Sequence, residues 1–288
     1  MSPGEIATLL SIMIAQTPFD LQGHRGARGH APENTLPAFE LALGMGVDTL
    51  ELDVGVTRDG VVVIHHDRRL NPDVARGPDG KWVSAPAATI HSLTYEQVKT
   101  YDVGRIRPGS EYAARFPNQK PKDGTLIPRL SELFKLTGDS RVRFNIETKL
   151  APEAPQETLA PEPFARALIA EVRKAGVAGR TTIQSFDFRT LAVVQREAPE
   201  IRTAYLTTGK KGAAVPAMVH EAGGAIWSPN FQDLDPAALA AARAKGLRVI
   251  PWTVNEPADI ARVLAMKVDG MISDYPDRVR EELKRWHR

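Results

Sequence analysis

From residue 20 onward the chain alternates short runs of β-branched and other apolar residues with longer amphipathic segments. Nine runs read as strands: DLQGH (20–24), TLELDVGV (49–56), VVVIHH (61–66), VRFNIET (142–148), TTIQSF (181–186), RTAYLT (202–207), AIWSP (225–229), RVIPWTV (248–254) and GMISD (270–274). Branched side chains favour extended backbone because they pack well on a pleated surface. Between most of these runs the apolar spacing becomes helical, and several helix ends are readable. Asp235 before Pro236 predicts an N-cap with proline in the first turn, and Gly246 lies past the far end. Asp187 is placed to cap FRTLAVVQRE, and Gly176 to close FARALIAEVRKA. Strand–helix alternation demands a parallel sheet, and about eight repeats argue for a closed (β/α)8 barrel of the TIM type.

Two places break the rhythm. In TLELDVGVTRDGVVVIHHD no helix intervenes, and Arg58-Asp59-Gly60 is a turn signal. Residues 49–66 therefore predict a hairpin, one arm of which is extra to an eight-stranded barrel. Residues 68–128 are rich in Pro, Gly and Arg, with LTYEQVK as a short helical stretch. About sixty irregular residues after a strand end suit a lid or subdomain over the barrel mouth, where βα loops build sites. APEAPQETLAPEP (151–163) is a second Pro-rich loop. The expectation is one barrel domain over residues 20–288, inserted at about 68–128, behind an N-terminal extension over 1–19. Within that extension, residues 6–15 are too short an apolar run to span a bilayer. They resemble the h-region of a signal peptide, although MSPGE carries no Lys or Arg; the alternative is a helix packed on the fold.

At 288 residues, 42% hydrophobic and 25% charged, the chain can bury a full core. Its net charge is only +2, with Lys and Arg scattered among Asp and Glu, so nothing suggests a nucleic-acid partner. No exposed amphipathic apolar helix stands out beyond residues 6–15, which argues against stable membrane insertion. The absence of cysteine excludes disulfides, thiolate metal sites and a cysteine nucleophile. Oligomeric state has no signal.

Glu51 and Asp53 lie two apart in TLELDVGV and so share one face of a strand. Glu147 and Lys149 share a face with Asn145 in NIETK. Charges inside otherwise apolar strands are costly unless paired, hydrated or bound to metal. One reading is ion pairing with Lys149 or an arginine. The other is a cation held by Glu51, Asp53 and Glu147, and an all-oxygen set selects Ca²⁺ or Mg²⁺ over zinc. His24, at the end of the first strand in GHRGARGHAPENT, gains meaning from a second strand-end histidine in VVVIHHD. Two imidazoles flanking a site can serve as general base and general acid near neutral pH. Neighbours in a strand face opposite ways, so His65 and His66 should meet different surroundings. His30, His91, His220 and His287 lack such company and read as surface or structural.

Taken in order, HRG, PENT, AFELAL, ELDV, TRDG, the HD of VVVIHHD, NIETK, QSF, PWTVN and DGMISDYP resemble the motifs of the glycerophosphodiester phosphodiesterase family across residues 23–276. The resemblance implies a variant (β/α)8 barrel with one divalent metal ion, Ca²⁺ or Mg²⁺, at its mouth. It implies hydrolysis of glycerophosphodiesters, such as glycerophosphocholine and glycerophosphoethanolamine, to an alcohol and sn-glycerol 3-phosphate. By position, Glu51, Asp53 and Glu147 would hold the metal. His24 and His66 would be the acid/base pair, His66 being the one before Asp67. Arg25 and Lys149 would bind phosphate, and Trp252 would shape the alcohol or glycerol pocket. A lipid-directed relative, of lysophospholipase D or phospholipase C type, and a non-catalytic phosphodiester-binding barrel are the alternatives. Relatives of this bacterial kind are often exported, so the resemblance implies a periplasmic protein, with the cytoplasm as alternative. One departure stands out. Where many relatives carry Leu-x-Arg-Thr-Thr after the HD, this chain has RRLNPDVARGPDGKW, which keeps Leu70 and lacks the threonines.

Overall fold

A computed structural model describes residues 19–286. β1 (Asp20–Gly23) leads through α1 (Leu36–Gly44) to β2 (Thr49–Val56), which turns back into β3 (Val62–Ile64). A long excursion carries the short helices α2 (Tyr95–Val98) and α3 (Glu111–Arg115) and ends in α4 (Leu130–Thr137). Strand and helix then alternate: β4 (Arg143–Thr148), α5 (Pro161–Lys174), β5 (Thr181–Ser185), α6 (Phe188–Glu197), β6 (Arg202–Thr207) and α7 (Ala214–Glu221). The chain finishes with β7 (Ile226–Pro229), α8 (Pro236–Ala244), β8 (Arg248–Val249), α9 (Pro257–Ala265), β9 (Gly270–Ser273) and α10 (Pro276–Trp286).

The sheet runs β8-β7-β6-β5-β4-β2-β1-β9, with every neighbour parallel. Its two ends meet through backbone bonds. The Ile272 N–H donates to Pro251 O, and the Val254 N–H to Ile272 O, each at 3.0 Å. The result is a nearly closed barrel of parallel strands wrapped by helices, the TIM architecture expected from the alternation. β3 is the extra arm: it pairs antiparallel with β2, Val54 opposite Ile64 and Val56 opposite Val62.

Two local differences have physical reasons. RVIPWTV reads as one strand over 248–254, yet β8 stops at Val249 because Pro251 has no N–H to continue the ladder. The break in rhythm before residue 142 is also incomplete, since α4 supplies the crossover helix between β2 and β4. It buries Leu130, Leu133, Phe134 and Thr137, the i, i+3, i+4, i+7 stripe of a helix packed on a sheet. The predicted caps are present at Asp187 and Asp235, whose side chains accept from Arg189 N–H and Ala238 N–H.

Residues 68–128 pack around a small core of their own, with Leu70, Val74, Ile90, Val98, Val103 and Ile127 buried together against Val63. Among the described residues no helix is long and apolar enough to cross a membrane. The apolar run at residues 6–15 and His287 lie outside the described residues.

Candidate active site

The barrel mouth is built from strand ends, the usual place for chemistry on this architecture. β2 and β4 pair in a register that sets Glu51 beside Asn145 and Asp53 beside Glu147. Glu51, Asp53 and Glu147 are buried and can each bring one oxygen within 4.8 Å of the others. The ion-pair reading is realised, and the same three carboxylates are grouped closely enough to hold a metal ion. Asp53 is paired with Arg25 Nε at 3.1 Å and Lys149 Nζ at 3.3 Å, and Lys149 Nζ donates to Glu147 at 2.6 Å. Among the described residues Glu51 has no lysine or arginine side chain within ion-pair distance. It accepts from Gln184 Nε2 at 2.7 Å and from the Arg25 backbone N–H at 3.0 Å.

Electrostatics follow from that asymmetry. Burial, then the negative charges of Asp53 and Glu147, push the Glu51 carboxyl well above the usual range. Burial lifts Glu147 to about 7 against the pull of Lys149. Burial also opposes ionisation of Asp53, but Lys149 and Arg25 overcome it and hold this carboxylate well below the usual range.

The HRGARG turn delivers the Arg25 amide to Glu51 by taking left-handed backbone, with φ of 50° at Arg25 and 86° at Gly26. A Cβ on Gly26 would come within 2.6 Å of the Ala38 carbonyl carbon, so only glycine lets this turn lie on α1.

Each histidine is oriented by a carboxylate. His24 Nδ1 donates to Asp274 Oδ1 at 2.7 Å, which leaves Nε2 facing Glu51, 3.9 Å away. Asp274 also accepts from Arg28 at 2.7 and 3.1 Å and from Asn255 at 2.7 Å. Burial lowers the His24 pKa to about 4 against the pull of Asp274, with Arg28 and Arg25 adding to the fall. His66 Nδ1 donates to Asp67 Oδ1 at 2.8 Å, and Asn71 holds the other Asp67 oxygen at 2.6 Å. Burial and the neighbouring Arg25 also lower His66. His65, by contrast, is buried with Nδ1 on the Asp67 carbonyl at 2.8 Å.

A cavity of about 490 Å³ gathers His24, Arg25, Glu51, His66, Glu147, Lys149 and Trp252, with Asp53 buried against the acidic residues. His65 is not among its lining residues. Trp252 anchors its indole N–H on Ser228 O at 2.9 Å and meets Phe186 edge to face at 5.5 Å. Sequence reasoning gave no role to Arg28, Glu33, Asn71, Tyr112, Gln184 or Asp274. Glu33 accepts from Arg25 Nη1 at 2.7 Å and from the Tyr112 hydroxyl, which ties the inserted segment to the mouth. A charge at the end of GMISD was the available signal for Asp274; Tyr112 had none.

Known proteins share this chain's sequence pattern and fold. A glycerophosphodiester phosphodiesterase of Caldanaerobacter subterraneus subsp. tengcongensis is 30% identical over 261 residues, with 88% of this chain and 93% of the relative covered. The Bacillus subtilis glycerophosphodiester phosphodiesterase is 31% identical over 264 residues, with 88% and 83% covered. A crystal structure from Silicibacter pomeroyi DSS-3, assigned to the same activity, has TM-score 0.88 at 36% identity and 94% coverage of both chains. An Oleispira antarctica phosphodiesterase solved with the product sn-glycerol-3-phosphate shares the fold at TM-score 0.72 and 22% identity, covering 92% of this chain and 96% of that one. Residues 24–278 match the glycerophosphoryl diester phosphodiesterase family as a whole, so the chain belongs to that family and is an enzyme of its activity.

Proposed function

We propose that the enzyme cleaves glycerophosphodiesters to sn-glycerol 3-phosphate and an alcohol, with a divalent cation on Glu51, Asp53 and Glu147 and with His24 and His66 as the acid/base pair. One observation carries this reading: two carboxylate-oriented imidazoles, a carboxylate trio and two cationic side chains border a single cavity. The trio fits a cation. Among the described residues Asp53 Oδ1 is buried with no hydrogen bond, only the Lys149 ammonium at 3.3 Å, and burial and mutual repulsion raise Glu51 and Glu147 above the usual range, which a bound cation would relieve. The donors are all oxygen, which suits Ca²⁺ or Mg²⁺. Bound there, such an ion would offset charge on the phosphoryl oxygens.

The chain's own residues do the rest. Arg25 and Lys149, already committed to carboxylates on one side, face a phosphodiester monoanion on the other and favour its entry. Asp274 fixes His24 with its Nε2 lone pair outward, and burial keeps the ring neutral, which suits it to accept a proton from the attacking hydroxyl. Asp67 fixes His66 in the same way, so its Nε2 is the atom turned to substrate. Trp252 and Ile272 give the cavity an apolar wall for the carbon skeleton. The Oleispira antarctica complex supports sn-glycerol 3-phosphate as the product. The direct test incubates the protein with glycerophosphocholine and glycerophosphoethanolamine in Ca²⁺, Mg²⁺ or EDTA and couples release to glycerol-3-phosphate dehydrogenase. Release that requires a divalent ion is expected. Equal release in EDTA would remove the cation from the reading, and no release would sink the reading itself.

A further inference from the structure

The barrel mouth has two lobes. The cavity holding His24 and Trp252 is the first. A second, of about 420 Å³, opens between the turn after β3 and the loop after β4, walled by Arg68, Arg69, Leu150 and Glu157. The lobes meet at His66, Asp67, Glu147, Lys149 and Phe186. A phosphodiester has two arms that leave phosphorus in different directions, and one arm per lobe is the arrangement this shape offers. We propose that the second lobe receives the leaving alcohol and that Arg68 selects headgroups bearing hydroxyls or a carboxylate over a quaternary ammonium. This deepens, and rests on, the function proposed above.

Hydrogen-bond supply decides the preference. Glu157, on a short turn of the 151–163 loop, accepts from Arg68 Nε at 2.9 Å and from Arg69 Nε at 2.8 Å. Arg69 has its other nitrogens committed as well, Nη2 to Glu157 and Nη1 to the Ala87 carbonyl, both at 2.8 Å. Arg68 does not. Among the described residues its one further carboxylate is Glu153, 3.9 Å from Nη2 and 73% exposed, too far for a hydrogen bond and too wet to hold the guanidinium. The carboxylates of the lobe are all engaged: Glu157 by the two arginines, Asp67 by His66 and Asn71, and Glu147 by Lys149.

An incoming headgroup therefore meets spare donors and no spare carboxylate. A polyol or a carboxylate-bearing alcohol can take the Arg68 N–H groups, whereas an ammonium meets Arg68, Arg69 and Lys149 and only carboxylates that already accept hydrogen bonds. Phe186, 43% exposed on the shared edge, is the counterweight, because an aromatic face attracts a quaternary ammonium. At an exposed site that attraction is weaker than a charged hydrogen bond to Arg68.

The experiment compares kcat/KM for four esters of glycerol 3-phosphate, those of glycerol, serine, ethanolamine and choline, in wild type, Arg68→Gln and Arg68→Glu. Wild type should favour the glycerol and serine esters. Arg68→Glu should move the serine-to-choline ratio about tenfold toward choline, with Arg68→Gln between. Unchanged ratios in both variants, or an equal loss on all four esters with thermal unfolding unaltered, would overturn the proposal while leaving the enzyme's function standing. A wild-type preference for choline would overturn it too. Failure of wild type to release glycerol 3-phosphate from any ester would instead strike the function on which the proposal rests.

Discussion

The two halves of the barrel interior are unlike. On β6, β7 and β9, and just past β8, the inward residues Ala204, Ile226, Ile250 and Ile272 pack into one apolar cluster capped by Trp252. On β1, β2, β4 and β5 the interior is polar, and it is wired. Gln22 donates to Asp20 at 3.0 Å, Asn145 to Gln22 and Gln184 at 2.8 and 2.9 Å, and Gln184 to Glu51 at 2.7 Å. Burying so many polar groups is tolerable only because nearly all find partners, Asn145 Oδ1 being the exception in this chain of bonds. At the floor the matching is close: Asp20 also accepts from Thr49 at 2.6 Å and Arg143 at 2.9 Å. At the mouth it fails, with three carboxylates crowded around two cationic side chains and Asp53 Oδ1 left without a hydrogen bond. What sets the mouth apart is unmatched charge: both oxygens of the floor carboxylate Asp20 are hydrogen-bonded, whereas the mouth crowds three carboxylates together.

The largest effect that could break this contrast lies at the rim of the polar half. His66→Ala should lower kcat by about 10²–10⁴-fold, as loss of an acid/base catalyst does, without lowering the thermal midpoint to match. His65→Ala, one residue away, should leave most of the activity, because that ring bonds the Asp67 carbonyl and does not line the cavity. The glycerol-3-phosphate-coupled assay and a thermal melt on both variants decide it. Equal losses in two folded variants would mean that the doublet acts as a unit, contrary to the geometry.

How much of this was legible depends on range. The two-residue period of a strand was enough to put Glu51 with Asp53, and Glu147 with Lys149, on common faces. It could not supply the register between β2 and β4, which brings Asp53 beside Glu147. The hairpin was readable from one turn signal beside two β-branched runs. Asp274 escaped because it lies 250 residues from His24, and only ring closure places β9 beside β1. Tyr112 reaches Glu33 only because the inserted segment folds on its own core, and nothing local encodes that contact. The α4 stripe was present in the sequence but lay at the end of a Pro- and Gly-rich stretch, where the alternation reads as broken.

Further predictions separate the two halves by stability. Ile250→Ala removes a 2%-exposed side chain from the apolar cluster and should cost about 2–4 kcal/mol in denaturant unfolding, with activity retained at low temperature. Asn145→Ala cuts the polar wire at its centre and strands the side-chain oxygens of Gln22 and Gln184. It should cost about 1–3 kcal/mol and also lower kcat, because Gln184 then loses the partner that aims it at Glu51. Activity that tracks stability identically in both variants would show that the polar half is scaffold alone.

The smallest expected effect has the opposite sign and tests the mouth directly. In metal-free protein, Glu147→Gln should raise stability, because it withdraws one charge from the crowded trio while the glutamine oxygen can still accept from Lys149. The pH dependence follows from a folded-state pKa raised to about 7 against an ordinary value of 4.5. Below about pH 4.5 the carboxyl is protonated in both states and costs nothing. Between about 4.5 and 7 the unfolded chain releases a proton that the folded one retains, so wild type loses stability as pH rises through that window. The variant has nothing to titrate there. Its advantage in EDTA should therefore open across this interval and level off near pH 8. Adding Ca²⁺ or Mg²⁺ should reverse the order, since ligand binding to the folded state stabilises only the protein that keeps the full trio. A variant less stable than wild type at pH 8 in EDTA would show that Glu147 and Lys149 form a balanced ion pair, and that the mouth is as well matched as the floor.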